Sequence, residues 1–180
     1  MHSTRITFSN PILKDRIEVL QHTSEKLIFR TYLEPGGGQT DLHYHTQIEE
    51  KFTVIRGTLS LYLGTEETLL TTKQSAIALP FCSHRFFNNS NEVVIFDVEI
   101  LQPKQTLCAL KILYGIAEHG KITRDGLPKN KLHLAIALKM MDAYSPKIPQ
   151  QLQHTAILLL AGFGKFLGVQ KKLVTMYCSS

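Results

Sequence analysis

The sequence predicts a mainly β fold, a sandwich or barrel over residues 1–103, followed by a helical C-terminal extension over residues 104–180. Three observations lead there. Between Arg16 and Leu101, short β-rich runs alternate with turn residues and show no helical period. After Gln102-Pro103 the chain changes to apolar runs at helical spacing. The charge changes with it: residues 1–103 hold 9 Lys/Arg and 12 Asp/Glu, residues 104–180 hold 11 and 3, so the two parts present different surfaces. With 180 residues, 43% of them hydrophobic and 19% charged, the chain is an ordinary globular protein with room for one well-buried core.

The expected strands are Arg16–Leu20, Leu27–Leu33, Lys51–Ile55, Thr58–Leu63, Ala76–Leu79 and Val93–Ile100. Turns separate them at Glu34-Pro35-Gly36-Gly37-Gly38, Arg56-Gly57, Gly64-Thr65 and Asn88-Asn89-Ser90-Asn91, residues that favour tight turns and left-handed backbone. Three helices are expected in the extension. The first runs from Lys104 to His119 and stops at Gly120; the second opens at Pro128 and runs through Tyr144 to Ser145-Pro146. The third starts at Pro149 and continues to Gly168, with Leu152, Ala156, Leu160, Phe163 and Leu167 at helical spacing. Its uncharged stretch, Thr155–Gly164, is too short to cross a hydrocarbon core of about 30 Å, so it is read as buried or lying at an interface.

The segment that carries chemistry is Gly37 to Gly57. In a strand, residues two apart share a face, so His43 and His45 project side by side. Glu50 opens the next run after a short loop; if it faces the histidines, Phe52 and Val54 face inward with it and Thr53 and Ile55 face out. A fourth donor comes from Ala78 to Asn88, where a proline-led turn precedes His84 and alternation puts Phe86 and Asn88 on its face. Three nitrogens and one carboxylate oxygen suit a divalent transition metal (Fe, Mn, Zn, Ni or Co) and suit Ca or Mg poorly. The pocket around the donors is expected to be lined by Phe52, Val54, Phe86, Asn88 and Phe96, an apolar setting for a small ligand that coordinates through oxygen. No residue stands out as a separate catalytic acid or base.

These residues resemble the cupin superfamily. The first cupin motif is a glycine, five residues, HxH, three or four residues, a glutamate, six residues and a glycine, and Gly37, His43, His45, Glu50 and Gly57 match it. Glu49 is the neighbouring candidate, but only Glu50 has the six-residue spacing to Gly57. His84 and Asn88 match the end of the second motif and Pro80 its proline-rich lead; the glycine expected before the histidine is replaced, at Cys82 or its neighbour Phe81. The resemblance covers the first 103 residues and implies a jelly-roll barrel, a double-stranded β-helix. It also implies one metal held by His43, His45, Glu50 and His84, and a place among dioxygenases, isomerases, decarboxylases and other lyases. The alternative is a non-enzymatic binding or sensing module whose basic, apolar tail makes a homodimer or meets a membrane surface.

The remaining signals are weaker. Cys82, Cys108 and Cys178 form no CxxC or zinc pattern and read as three free thiols, which together with the lack of a secretory signal in Met1–Leu13 suggests a cytoplasmic protein. The expected partners are a small molecule and a second copy; nucleic acid is not expected, because no dense basic patch with interleaved aromatics occurs. Tyr44 and Arg85, each next to a metal-site histidine, should turn away from the site. His22, His119, His133 and His154 lack ligand spacing to one another.

Overall fold

The computed structural model describes residues 6–178; five residues of the Met1–Leu13 stretch considered above, and Ser179 and Ser180, lie outside them. Ten strands precede the first helix: β1 (Thr7–Asn10), β2 (Asp15–His22), β3 (Lys26–Leu33), β4 (Tyr44–His45), β5 (Glu50–Arg56), β6 (Thr58–Leu63), β7 (Glu66–Thr71), β8 (Ser75–Ala78), β9 (His84–Phe87) and β10 (Val94–Leu101). Then come α1 (Thr106–Glu118), α2 (Lys131–Met140), the short β11 (Ala143–Tyr144), α3 (Gln150–Phe166) and α4 (Val169–Tyr177).

The strands form a six-stranded antiparallel sheet, in the order β1-β2-β3-β10-β5-β8, and a three-stranded sheet, β7-β6-β9. Strict alternation builds the larger one: along β3 every second residue is buried (Leu27, Phe29, Thr31, Leu33), and β10 repeats the pattern with Val94, Phe96, Val98 and Ile100. These side chains meet Leu59, Leu61, Leu70 and Phe86 of the smaller sheet in one shared core, giving the jelly roll. Gly38 is needed for closure. Its φ is 132°, and a Cβ there would lie 2.5 Å from the Phe86 carbonyl oxygen, so only glycine lets this loop bridge to Phe87.

Helix α1 packs on the barrel through Leu107 and Tyr114, and its other side joins a separate apolar cluster with α2, α3 and α4 that includes Ile112, Ile116, Ile136, Ala161 and Leu173. The helices differ from expectation in three ways. Helix α2 begins at Lys131, not Pro128, because the Asn130 side chain accepts from the backbone N–H of Leu132 and His133 and caps it there. It ends at Met140, and residues 143–144 pair with β4 as a strand. The described residues form four helices, not three: the apolar run breaks at Gly168, whose left-handed φ of 73° starts α4 at 81° to α3. No single helix among the described residues is long and apolar enough to cross a membrane.

The cysteine expectation is corrected. Cys108 and Cys178 form a disulfide joining α1 to the end of α4, and among the described residues Cys82 alone is a free thiol. Their separation of 70 residues hides the pair from any spacing rule; Tyr177, packed where a side chain on Gly115 would stand, lets α1 and α4 approach so closely. The cysteines therefore carry no argument for a reducing compartment. Closing so long a loop restricts the unfolded chain, so reduction is expected to lower stability by roughly 2–4 kcal/mol. Urea denaturation with and without dithiothreitol measures this, and coincident curves would contradict it.

Candidate metal centre

The two motifs meet because His43 and His84 lie directly opposite each other: each backbone N–H donates to the other's carbonyl, at 3.1 and 2.7 Å. The turn leading to His84 forms without its expected glycine. Phe81 adopts the left-handed φ of 67°, a conformation that costs a side-chain-bearing residue about 1–2 kcal/mol. Its N–H donates to the His45 carbonyl at 2.7 Å, and its ring stacks on Tyr44, which offsets that strain. On β5, alternation directs Glu50, Phe52 and Val54 inward and leaves Ile55 exposed.

The structure brings His43, His45, Glu50 and His84 together, with one donor atom from each inside a cluster no more than 4.8 Å across. His84 Nε2 is 3.0 Å from one Glu50 oxygen, and His45 Nε2 is 3.7 Å from the other. Hydrogen bonds set which nitrogen of each ring faces the cluster. His84 Nδ1 donates to the Cys82 carbonyl at 2.9 Å, and His45 Nδ1 donates to the Met141 carbonyl at 2.9 Å. A carbonyl only accepts, so both rings carry hydrogen on Nδ1 and turn Nε2 to the centre.

That arrangement fits a cation. His45 Nε2 is buried with no hydrogen-bond partner among the described residues, a cost that persists only if something else occupies its lone pair. A bare lone pair on His84 Nε2 would repel the Glu50 oxygen 3.0 Å away, so a proton or a metal belongs between them. Burial pushes the Glu50 carboxyl up, yet the imidazoles of His45, His84 and His43 outweigh it and hold the group at about 2. Burial, with His84 and His45 nearby, lowers His43 well below the usual imidazole range, keeping it neutral as a ligand must be. Burial also works to lower His84, but its hydrogen bond to Glu50 and that carboxylate's charge raise it overall.

Of the other expected pocket residues, Phe52, Phe86 and Phe96 form a buried cluster of tilted and edge-on rings beside the donors, with centroids 6.4 Å (Phe52–Phe86) and 5.1 Å (Phe86–Phe96) apart; Phe52 lies 5.9 Å from His84. Val54 is buried in the same core. Asn88 needs correction: it is fully buried, but its amide nitrogen donates to the Leu33 and Glu92 carbonyls and its oxygen accepts from Ser90, so it ties the β9–β10 turn instead of lining a pocket. Tyr44 and Arg85 turn away, Tyr44 onto Tyr144 and Arg85 over the Tyr62 ring.

One residue escaped sequence reasoning. Just past the end of α2 stands Asp142, with a left-handed φ of 52°, and the carbonyls of Met141 and Asp142 face His45 Nδ1. Its carboxylate accepts from Thr46 N at 2.7 Å, Thr46 Oγ1 at 3.0 Å and Gln47 N at 2.8 Å, gripping the loop just after His45. The pairing of β11 with β4 continues the grip, setting Ala143 opposite His45. The extension is thus bolted to a metal-site strand from a sequence distance of 96 residues, which no local pattern signals.

A jelly roll that gathers three imidazoles and a carboxylate on neighbouring strands defines a β-barrel built to hold a metal-type ligand set. Residues 29–100 match the family model described as the cupin domain, and the barrel of this chain belongs to the cupin superfamily. A search of curated proteins found no significant match. Among solved structures, the chain is similar to a sugar phosphate isomerase of the cupin superfamily from Silicibacter pomeroyi, with 19% identity, 54% of this chain and 71% of that one covered, and a TM-score of 0.50. It is also similar to an RmlC-like cupin from Shewanella frigidimarina, with 12% identity, coverage of 59% and 92%, and a TM-score of 0.52. Likeness at these identities carries the fold alone.

Proposed function

We propose that this cupin holds one divalent transition metal (Fe, Mn, Zn, Ni or Co) through His43, His45, Glu50 and His84 and acts on a small, oxygen-bearing molecule as a metalloenzyme of dioxygenase, isomerase or lyase type. The observation that carries this reading is the buried, unpartnered Nε2 of His45 within the four-donor cluster. When bound, the metal supplies Lewis acidity toward ligand oxygens or, if iron, dioxygen chemistry. The chain's own residues do the rest. Glu50 offsets the cation's charge, the Cys82 and Met141 carbonyls orient the two rings, and the Phe52–Phe86–Phe96 cluster keeps water from the inner side of the site. That cluster also favours a second reading: it offers apolar binding surface and no proton donor, as a binding or sensing module would.

Metal content per chain, measured by plasma mass spectrometry on tag-free protein, tests the proposal. Near-stoichiometric metal is expected in the natural chain and none in the Glu50→Ala/His84→Ala variant. Iron would direct substrate screening to oxygen uptake; Zn, Ni, Mn or Co would direct it to isomerisation and elimination. No metal after reconstitution with any of the five would overturn the reading.

A further inference from the structure

Helix α3 has two opposite faces, and the outward one is unusual. Gln153, Ile157, Ala161 and Gly164 form the buried stripe, with Gly164 close against Ile136 of α2 and Ile157 against Tyr44 and Tyr144. On the far side, Leu152, Leu159, Phe163 and Phe166 project into solvent; Leu159 is 70% exposed and Phe166 85%. Single exposed apolar residues are commonplace, whereas a continuous apolar stripe opposite a packed one is a surface that something covers. From Gln150 to Gly164 the helix holds no Lys, Arg, Asp or Glu.

The charge around this face selects its occupant. Residues 143–180 contain no Asp or Glu, and they carry Lys147, Lys165, Lys171 and Lys172. Lys165 borders the apolar face. Past the bend, Lys171 and Lys172 line an open cleft of about 470 Å³ with Gly168, Thr175 and Met176. A second copy seated on α3 would set lysines against lysines with no carboxylate in the segment to pair them. An anionic surface complements them. The face belongs to one continuous helix, Gln150–Phe166, which suits lying flat in a lipid interface with apolar side chains down and lysines at headgroup level.

We propose that the outer face of α3, with the lysines of α4, docks this protein on an anionic lipid bilayer, lying on it and not spanning it. The full chain is to be sedimented with vesicles of phosphatidylcholine alone and of phosphatidylcholine and phosphatidylglycerol at 7:3. Binding at least about tenfold stronger to the anionic vesicles is expected, weakening with salt, since each lysine near such a surface contributes about fivefold. Leu159→Ser/Phe166→Ser should lose binding with an unchanged melting temperature, because both side chains point into solvent. Lys171→Glu/Lys172→Glu should lower affinity at least about tenfold. Absence of binding to either vesicle, or equal binding to both by all variants, would overturn the proposal. So would a dimer in analytical ultracentrifugation that Leu159→Ser/Phe166→Ser dissociates while vesicle binding is absent; the face would then belong to a second copy.

Discussion

Replacing Asp142 by alanine is expected to weaken metal affinity by about 10–100-fold, the usual consequence of losing a group that orients a metal ligand. The reason lies in what the carboxylate holds. It accepts two backbone N–H groups and one hydroxyl from Thr46 and Gln47, fixing the loop that follows His45, and its left-handed backbone presents the carbonyls that accept from His45 Nδ1. Without the carboxylate, the Thr46 and Gln47 N–H groups lose their partner, so stability should fall as well, by about 2–4 kcal/mol for charge-assisted bonds. Asp142→Asn keeps an acceptor and the tolerance for left-handed φ, and should recover much of both losses. Competition with a chromophoric chelator measures affinity; urea denaturation measures stability. Lower stability with unchanged affinity in Asp142→Ala would mean that Asp142 fastens the extension and does not position His45.

The same residue shows where sequence reading stops. Much of the site was legible because strand alternation is a local rule: it sets His43 and His45 on one face, and once Glu50 is taken to face them, Phe52 and Val54 turn inward and Ile55 outward. Strands β3 and β10 were legible for the same reason. Strand β7 was not, because Glu66, Glu67, Thr68 and Leu69 are all exposed and only Leu70 reaches the core, leaving no alternation to read. Its hydrogen bonds to β6, a tertiary fact, make it a strand. Asn88 was recognised as inward, but what an amide does inside depends on which carbonyls surround it. The clamp on His45 and the disulfide are contacts across 96 and 70 residues, set by how α1, α2 and α4 pack. The bend at Gly168 was foreseen as a helix end; that another helix follows depends on Leu173 and Tyr177 finding the surface of α1 and its neighbours.

A buried carboxyl far from the metal site should give the fold a measurable pH dependence. Asp15, at the start of β2, is 5% exposed. Tyr114 of α1 donates a hydrogen bond to its Oδ2 at 2.7 Å, while Oδ1 has no partner among the described residues. Burial dominates and pushes the carboxyl up to about 7, against the opposing effects of the Tyr114 hydroxyl and its own backbone N–H. In the unfolded chain the group titrates near 3.8. Between about pH 4 and 7 the folded state therefore holds a proton that the unfolded state has lost. Folding is favoured most below about pH 4 as far as this group is concerned, and its contribution declines as pH rises, levelling off above about 7. The shift corresponds to about 4 kcal/mol. Asp15→Asn is neutral throughout and lacks this slope, though its amide N–H, left without an acceptor, costs about 1–3 kcal/mol at every pH. The variant is thus expected to be less stable than the natural chain at pH 4.5 and more stable at pH 8, with the difference moving by about 3 kcal/mol between those two pH values. Glu50 and His43 also titrate differently in the two states, but they are common to both proteins and cancel in the difference. Urea denaturation of both proteins at four or five pH values gives the comparison. A difference that stays constant with pH would mean that Asp15 is ionised in the fold, with the Tyr114 hydroxyl compensating its charge where burial was argued to prevail.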